Sequence, residues 1–169
     1  STAHNISEGP RWREFAYRLT DPLGDLTTNV SHAAVQRYID AMKRKDLEAS
    51  LDAFCDDAVY YLHVGTRPFD GKEFMRKRID ILWPHQVRSR WRIVNWLEDD
   101  EKILFEGVDE YDQPDGTTVA MPYMGIYQIK DGRIWRARDY FDMPGYLAMT
   151  KGDANPWLLK VVETMSERP

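Results

Sequence analysis

The chain has 169 residues, a net charge of -5, and a composition that is 43% hydrophobic and 30% charged, which is typical of one globular domain. The acidic balance excludes the basic surface that a nucleic-acid partner requires, and the single cysteine, Cys55, excludes an intrachain disulfide and a cysteine-based zinc site. No apolar run of ~18 residues predicts a membrane span, and no secretory pattern begins the chain, so a cytoplasmic protein is expected.

The N-terminal third of the chain predicts an arm followed by two helices. Residues 1–28 lack clean periodicity but hold three aromatic side chains between positions 12 and 17, which are rare in disordered chain, so an ordered arm is predicted. The main domain, at 29–149, then begins with a helix capped by Asn29 or Ser31. Apolar residues recur at helical spacing as far as Phe54, with a polar joint between two helices.

The rest of the domain predicts strands around one more helix. The β-branched and aromatic run at 59–64 predicts a first strand, and a helix from Lys72 to Trp83 follows and ends at Pro84. Turn signals separate the strands that come next, so antiparallel hairpins are expected to connect them. These four strands are predicted at 87–97, 103–111, 118–129 and 134–141.

Helices grouped ahead of an antiparallel meander indicate an α+β fold. We expect a cone in which a long, curved antiparallel sheet wraps around the helices and leaves an apolar pocket at its open end. A final amphipathic helix is predicted over 156–165, so residues 150–169 are expected to pack on the domain or on a neighbouring chain. The exposed back of the sheet and this apolar helix predict a homodimer or homotrimer.

Two aspartates fall among small and aromatic residues on these strands. Side chains two residues apart share a face of a strand. The face of Asp109 therefore holds Phe105, Gly107 and Tyr111, and that of Asp139 holds Trp135, Ala137 and Phe141. A carboxylate in apolar surroundings is unfavourable unless it is paired, and desolvation raises its pKa towards the range of a general acid or base. Asp109 and Asp139 are therefore candidate catalytic residues, the alternative being hydrogen-bonded aspartates with a structural role.

Two short stretches near the end of the domain resemble a known family. The sequence Asp-Gly-Arg-Ile at 131–134, followed by Arg-Asp-Tyr-Phe-Asp at 138–142, resembles the end of limonene-1,2-epoxide hydrolases, within the wider SnoaL-like and NTF2-like superfamily. The stretches at 37–41 and 56–60 fit the same group. The resemblance spans about residues 31–143 and implies an NTF2-like cone. In the hydrolases, two Asp side chains bridged by an Arg open an epoxide with water, assisted by a Tyr and an Asn.

Matched position by position, the resemblance implies that Asp139 is the acid, Asp109 the base and Tyr60 the assisting tyrosine. The bridging Arg falls on Gly107 and the Asn falls on Leu62, so this chain departs from the hydrolase pattern. Without the Arg, two nearby carboxylates repel each other, and one of them should hold its proton near neutral pH.

The resemblance also implies which residues contact a substrate. Whether Arg136 or Arg138 turns inward to replace the missing Arg stays open at this point.

Three aromatic residues are assigned to the pocket in addition to the matched positions. Two of them share the strand faces of Asp109 and Asp139, and the third lies on the first helix. The predicted substrate-binding residues are Tyr123, Met121, Tyr111 and Met42, which match hydrolase positions, together with Trp135, Phe105 and Tyr38.

Other superfamily members suggest different chemistry. Scytalone dehydratase-like, bile-acid dehydratase-like and ketosteroid isomerase-like enzymes move protons without a cofactor, and the dehydratases pair Tyr and Asp with a His just before the strand that follows the third helix. His85 holds that position, although a histidine at the end of a helix is also favoured by the helix dipole alone. His63 is a second candidate, which faces away from the pocket by strict alternation with Tyr60 unless a bulge reverses it.

Three functions remain open for the predicted pocket. No metal site is expected, because no short ligand spacing occurs, and the absence of a Gly-rich loop predicts no nucleotide cofactor. The first function is a cofactor-independent lyase or isomerase for a hydroxylated aromatic or polycyclic small molecule, acting by dehydration or by retro-aldol loss of an aldehyde, as in deformylation of lignin-derived diaryl compounds. The others are an epoxide hydrolase and a non-catalytic module that binds a small hydrophobic molecule.

Overall fold

The computed structural model describes residues 30–166, and the arm predicted at 1–28 lies outside the described residues. In chain order the elements are α1 (Val30–Arg44), α2 (Leu47–Asp52), β1 (Phe54–Tyr61), β2 (Phe69–Asp70), α3 (Lys72–Leu82), a 3-10 turn (Trp83–His85), β3 (Arg88–Ser89), β4 (Arg92–Glu98), β5 (Lys102–Asp112), β6 (Thr118–Lys130), β7 (Arg133–Tyr140), α4 (Met143–Met149) and α5 (Pro156–Ser166).

The strands of the described chain form one curled, seven-stranded sheet. Its order is β2-β1-β7-β6-β5-β3, and β4 also pairs with β5. Strands β5, β6 and β7 form the antiparallel meander that the turn signals predict. Strand β1, however, pairs with β7 in parallel, so the sheet is mixed, whereas the sequence predicted an antiparallel one. The parallel pairing is possible because a helix and five further strands separate β1 from β7, so no hairpin has to join them.

The largest differences from the predicted elements are in β1 and in the segment that forms β3 and β4. Phe54 was assigned to a helix but opens β1, where its side chain is buried in the core at 2% exposure. Strand β1 ends at Tyr61, and it bulges against β7 before Val59. The strand predicted at 87–97 is interrupted at 90–91 to give β3 and β4, while the pairing register with β5 continues through the interruption.

The helices fill the concave side of the sheet and complete an α+β cone of the predicted kind. Helix α1 buries one apolar face, which includes Val35, Tyr38 and Ile39, because its apolar residues recur at the helical period. The Tyr38 ring meets Phe54 and Trp91 edge-on, at centroid distances of 4.8 and 5.4 Å. These contacts hold α1 against the concave face of the sheet. Tyr38 also lines the cavity that remains between the helices and the sheet.

The C-terminal helix α5 lies against β6, with its Leu158 packed on a small apolar cluster beside α4. Much of its apolar surface remains uncovered, since Trp157 is 78% exposed and Leu159 and Val161 are also exposed. The homodimer or homotrimer stays a prediction. Across residues 30–166, no helix combines the length and hydropathy needed to cross a membrane.

Close packing of β6 over the core generates a test of the fold. A Cβ added to Gly125 would lie 2.7 Å from Cε1 of Phe105, and Phe105 is held edge-on by Tyr123 and Tyr127. We expect Gly125→Ala to lower the free energy of unfolding by about 1–3 kcal/mol, the usual effect of overpacking, as measured by urea denaturation. Met124→Ala, one residue away and 52% exposed, should change it by less than ~0.5 kcal/mol. Equal effects of the two changes would contradict the packing described.

Candidate active site

A half-open cavity lies between the concave face of the sheet and helices α1 and α3. It encloses about 110 Å³, which approaches the ~150 Å³ of an engineered apolar cavity that binds benzene. The enclosed part therefore has room for about one aromatic ring. The lining is mostly apolar and aromatic, with carboxyl groups on the sheet wall and a guanidinium on the helix wall: Tyr38, Met42, Tyr60, Leu62, Arg78, Leu82, Gln86, Ser89, Trp91, Asp109, Met121, Tyr123, Asp139, Phe141, Met143 and Tyr146.

Strand register places the two carboxyls on either side of one tyrosine. Asp109 on β5 pairs with Met121 on β6, and Asp139 on β7 pairs with Gly125 on β6. Tyr123 lies between these two β6 positions on the same face, because side chains alternate along a strand. The three side chains thus form one inner row that faces the cavity.

Asp139 is the deeper of the two acids, at 4% exposure. Its Oδ2 accepts a hydrogen bond from the Tyr60 hydroxyl, and the Tyr127 hydroxyl lies 3.4 Å from the same oxygen. Oδ1 is buried and has no hydrogen-bond partner within residues 30–166. Burial raises the pKa of Asp139 to about 8, although the hydrogen bonds from Tyr60 and Tyr127 lower it, and the charge of Asp109 adds to the rise. At pH 7 this carboxyl therefore holds a proton, for which Oδ1 is the free position.

Asp109 is the more acidic member of the pair. Burial raises its pKa to about 6, so at pH 7 it is mostly ionised. Between about pH 6 and about pH 8 the cavity therefore presents one carboxylate and one protonated carboxyl. Such a pair can accept a proton at one position and donate a proton at another, which is the arrangement that acid–base catalysis needs.

Tyr123 fills the space of the bridging arginine that the hydrolase pattern would place on Gly107. A Cβ on Gly107 would lie 2.5 Å from the carbonyl oxygen of Arg92 and 3.2 Å from the Tyr123 hydroxyl, so no longer side chain fits. The Tyr123 hydroxyl accepts a hydrogen bond from Nε1 of Trp91 at 2.5 Å, which leaves its own hydrogen free to donate. Burial, with the charge of Asp139 next in importance, raises the pKa of Tyr123 well above its ordinary value, so the hydroxyl stays protonated.

Among residues 30–166, the arginine that reaches the cavity is Arg78 on α3, which sequence analysis missed. Neither Arg136 nor Arg138 lines the cavity, and Arg136 instead donates to the backbone oxygen of Asp57 at 2.8 Å. A signal for Arg78 was present in the sequence, because position 78 falls on the face of α3 that also carries the buried Met75. A charged residue on an apolar helix face is the pattern that identifies it.

The structure brings most of the predicted site residues together. Their catalytic and binding roles stay predictions, since position alone does not establish a role. The predicted residues that line the cavity are Asp109, Asp139, Tyr60, Tyr38, Met42, Met121 and Tyr123.

Trp135, which was predicted to share the inner face with Asp139, lies outside the cavity wall. A register shift between β6 and β7 breaks the alternation at this residue. The indole of Trp135 faces outward, donating to Asp57 at 3.1 Å and packing under Arg136, whose Cζ lies 4.0 Å from the ring centroid. Its assignment to the pocket is therefore corrected.

Phe105 and Tyr111 lie behind the cavity wall, so their assignment to the pocket is also corrected. Phe105 is part of the core at 2% exposure and packs under Gly125. Tyr111 belongs to the small cluster beside α4, and its hydroxyl lies 2.8 Å from that of Tyr146, which does reach the cavity. Both residues support lining side chains instead of contacting the cavity.

Neither candidate histidine lines the cavity. His85 is exposed in the 3-10 turn, while its neighbour Gln86 reaches the wall. His63 follows the end of β1, with Nε2 3.3 Å from the backbone oxygen of Phe141. Nδ1 of His63 is buried without a hydrogen-bond partner within 30–166. In that part of the chain, no group of three or more His, Cys, Asp or Glu side chains has an arrangement that would hold a metal ion.

Comparison with known proteins gives a family match and a shared fold. The family model described as a SnoaL-like domain matches residues 35–137. An LEH-like epoxide hydrolase of M. tuberculosis has a TM-score of 0.63 at 23% identity, over 81% of this chain and 97% of that chain. A Δ5-3-ketosteroid isomerase of Mycobacterium sp. has a TM-score of 0.64 at 21% identity, over 69% of this chain and 96% of that chain. A search of curated protein sequences gives no match. At these identities the solved structures share the fold alone.

The contact between Tyr60 and Asp139 generates a direct test of the site. Because the Tyr60 hydroxyl favours the ionised carboxylate, Tyr60→Phe should raise the pKa of Asp139 by roughly one to two pH units, as expected for one hydrogen bond to a charged group. Carbon-13 NMR titration of the aspartate carboxyls measures it. Tyr111→Phe is the matched control, since that hydroxyl bonds to Tyr146. An unchanged or lowered pKa in Tyr60→Phe would contradict the contact.

Proposed function

The chain belongs to the SnoaL-like domain family, and on this premise we propose that it is a cofactor-independent acid–base lyase or isomerase for a hydroxylated aromatic or polycyclic small molecule. Solved structures of the same fold include an epoxide hydrolase and a ketosteroid isomerase. The observation that carries the proposal is the unequal pair of acids in one apolar cavity, with the pKa of Asp109 at about 6 and that of Asp139 at about 8. One is a base and the other an acid at neutral pH.

Dehydration uses both groups in one step. The Asp109 carboxylate removes a hydrogen from a carbon next to an activating group, while Asp139 gives its proton to the hydroxyl on the adjacent carbon. Water leaves as the carbon–carbon double bond forms. The hydrogen bonds from Tyr60 and Tyr127 stabilise the Asp139 carboxylate that is produced. Tyr123, with its hydrogen free, polarises the substrate oxygen. Transfer of a proton from Asp109 to Asp139 restores the starting state.

Retro-aldol loss of an aldehyde needs the same protonation states. Asp109 takes the hydroxyl hydrogen, the adjacent carbon–carbon bond breaks to release the aldehyde, and Asp139 protonates the carbon that keeps the electron pair. Deformylation of a lignin-derived diaryl compound is one such reaction. Because the enclosed volume is about 110 Å³, one ring would lie inside and the second would extend through the mouth.

Epoxide hydrolysis is the second candidate, and the hydrogen bond between Tyr60 and Asp139 favours it, because the hydrolase pattern places a Tyr and an Asp at these positions. Hydrolysis also requires a water molecule held beside Asp109. Leu62 gives the cavity an apolar surface where the hydrolase pattern has an Asn, so the lyase is preferred. In water enriched in oxygen-18, a hydrolase would place the label in a diol, whereas the elimination product would carry no solvent oxygen.

The acid–base proposal predicts a bell-shaped dependence of kcat/KM on pH. Activity should rise through about pH 6 as Asp109 ionises and fall through about pH 8 as Asp139 loses its proton. The two limits belong to the pair, because the two groups interact. A panel of a hydroxylated phenylpropanoid, a hydroxysteroid, a diaryl diol and an epoxide, assayed without added cofactor, first identifies a substrate for this profile. A profile flat from pH 5 to pH 9 would contradict the assignment.

Removing either carboxyl should abolish most of the turnover. We expect Asp109→Asn and Asp139→Asn each to lower kcat by about 100-fold or more, the usual contribution of a general acid or base, with the fold retained by circular dichroism. Asp115→Asn is the matched control, since Asp115 is exposed in the β5–β6 turn. If every form binds the panel equally and none turns it over, the cavity is a binding site and the catalytic proposal is wrong.

A further inference from the structure

Arg78 is a positively charged residue in the cavity wall, and its charge has no ion-pair partner among the residues that the structure describes. It lies on α3 and is partly buried, and its Nε is fully buried without a hydrogen-bond partner among residues 30–166. No ion pair within those residues involves it. The guanidinium carbon lies 5.9 Å from the Phe69 ring centroid, a contact that supplies no hydrogen-bond acceptor for Nε.

Its buried Nε without a partner distinguishes Arg78 from the other arginines among residues 30–166, several of which form ion pairs. Arg76, on the same helix, pairs with Glu48 at 2.9 Å, and Arg90 pairs with Asp112 at 2.8 Å. Acidic residues outnumber basic ones, 28 to 23, so carboxylates are not scarce. A partly desolvated charge with no partner is unfavourable, and a bound anion would remove that penalty.

Arg78 is also separate from the two cavity acids. It forms an ion pair with neither Asp109 nor Asp139, and its charge acts instead on Tyr146. Burial and the charge of Asp109 raise the pKa of Tyr146, while its hydrogen bond with Tyr111 and the charge of Arg78 lower it. The cavity thus has a cationic group on its helix wall and two acids on its sheet wall.

We propose that Arg78 binds a carboxylate of the substrate, which makes the substrate an aromatic acid whose hydroxylated carbon lies against Asp109 and Asp139. This rests on the function proposed above and narrows its substrate class. A guanidinium is planar and always charged, and its paired N–H groups match a carboxylate in bidentate geometry. The ionised Asp109 repels the carboxylate of the substrate, so this carboxylate is directed to the Arg78 end of the cavity. Because Arg78 and the two aspartates lie on opposite walls, binding of the carboxylate by Arg78 places the hydroxylated carbon beside the aspartates.

The test compares cinnamate with cinnamamide, which share one aromatic ring and differ in the charged group. Calorimetric titration of the wild-type protein at pH 7 should show that cinnamate binds about 10- to 100-fold more tightly, as expected for a charge-assisted, bidentate contact. Arg78→Gln should remove the preference, and Arg78→Lys should keep part of it. Arg76→Gln, on the same helix but paired outside the cavity, is the matched control and should keep all of it.

The wild-type comparison needs no variant to fold, so it can overturn the proposal by itself. If cinnamate binds no more tightly than cinnamamide, or if the preference survives in a folded Arg78→Gln protein, the carboxylate site is wrong. Neither result contradicts the proposed acid–base function, which is tested separately by the turnover of the wild type and of the Asp109→Asn and Asp139→Asn proteins. Conversely, a cinnamate preference that disappears in Arg78→Gln supports the site even if no member of the assay panel is turned over.

Discussion

The hydrogen bond from Tyr60 to Asp139 is the contact on which the site depends. It joins β1 to β7, the one parallel pair of the described sheet, and it holds a carboxyl at 4% exposure in a largely apolar interior. Two tyrosine hydroxyls near one oxygen only partly compensate for this burial, so the group remains a neutral acid at pH 7. Its second oxygen has no hydrogen-bond partner in the described part of the chain. This contact thus fixes the position of Asp139 and occupies Oδ2, while burial keeps the carboxyl protonated and leaves Oδ1 as the free donor.

The distribution of charge in the cavity follows from the absence of an arginine between the acids. Gly107 leaves no room for a side chain, and Tyr123 occupies that space with a hydroxyl instead of a cation. The charge of Asp109 therefore acts on Asp139 without a neutralising group between them and adds to the rise of its pKa. The positive charge that the described residues bring to the cavity, on Arg78, lies on the helix wall. A substrate with one negatively charged group and one reacting carbon can place the charged group at the helix wall and the carbon at the sheet wall.

Much of this site was predictable because the responsible patterns are local. Alternation with a period of two residues fixes which side chains share a strand face, and it placed Asp109, Met121, Tyr123 and Asp139 on the faces that line the cavity. Turn residues defined the meander, and helical periodicity defined the buried face of α1. Where a local pattern was interrupted, the prediction failed: the bulge in β7 turned Trp135 outward.

The sequence by itself therefore determined the α+β fold and the inward-facing positions of Asp109, Met121, Tyr123 and Asp139. Only the tertiary structure decided that β1 lies parallel to β7, which brings Tyr60 onto Asp139. It also decided that Tyr111 and Phe105 stand behind the wall, and that Arg78 reaches the cavity from a helix distant in the chain. The physical reason is that face and period depend on neighbouring residues, whereas pairing partners, bulges and desolvation depend on contacts between residues far apart in sequence.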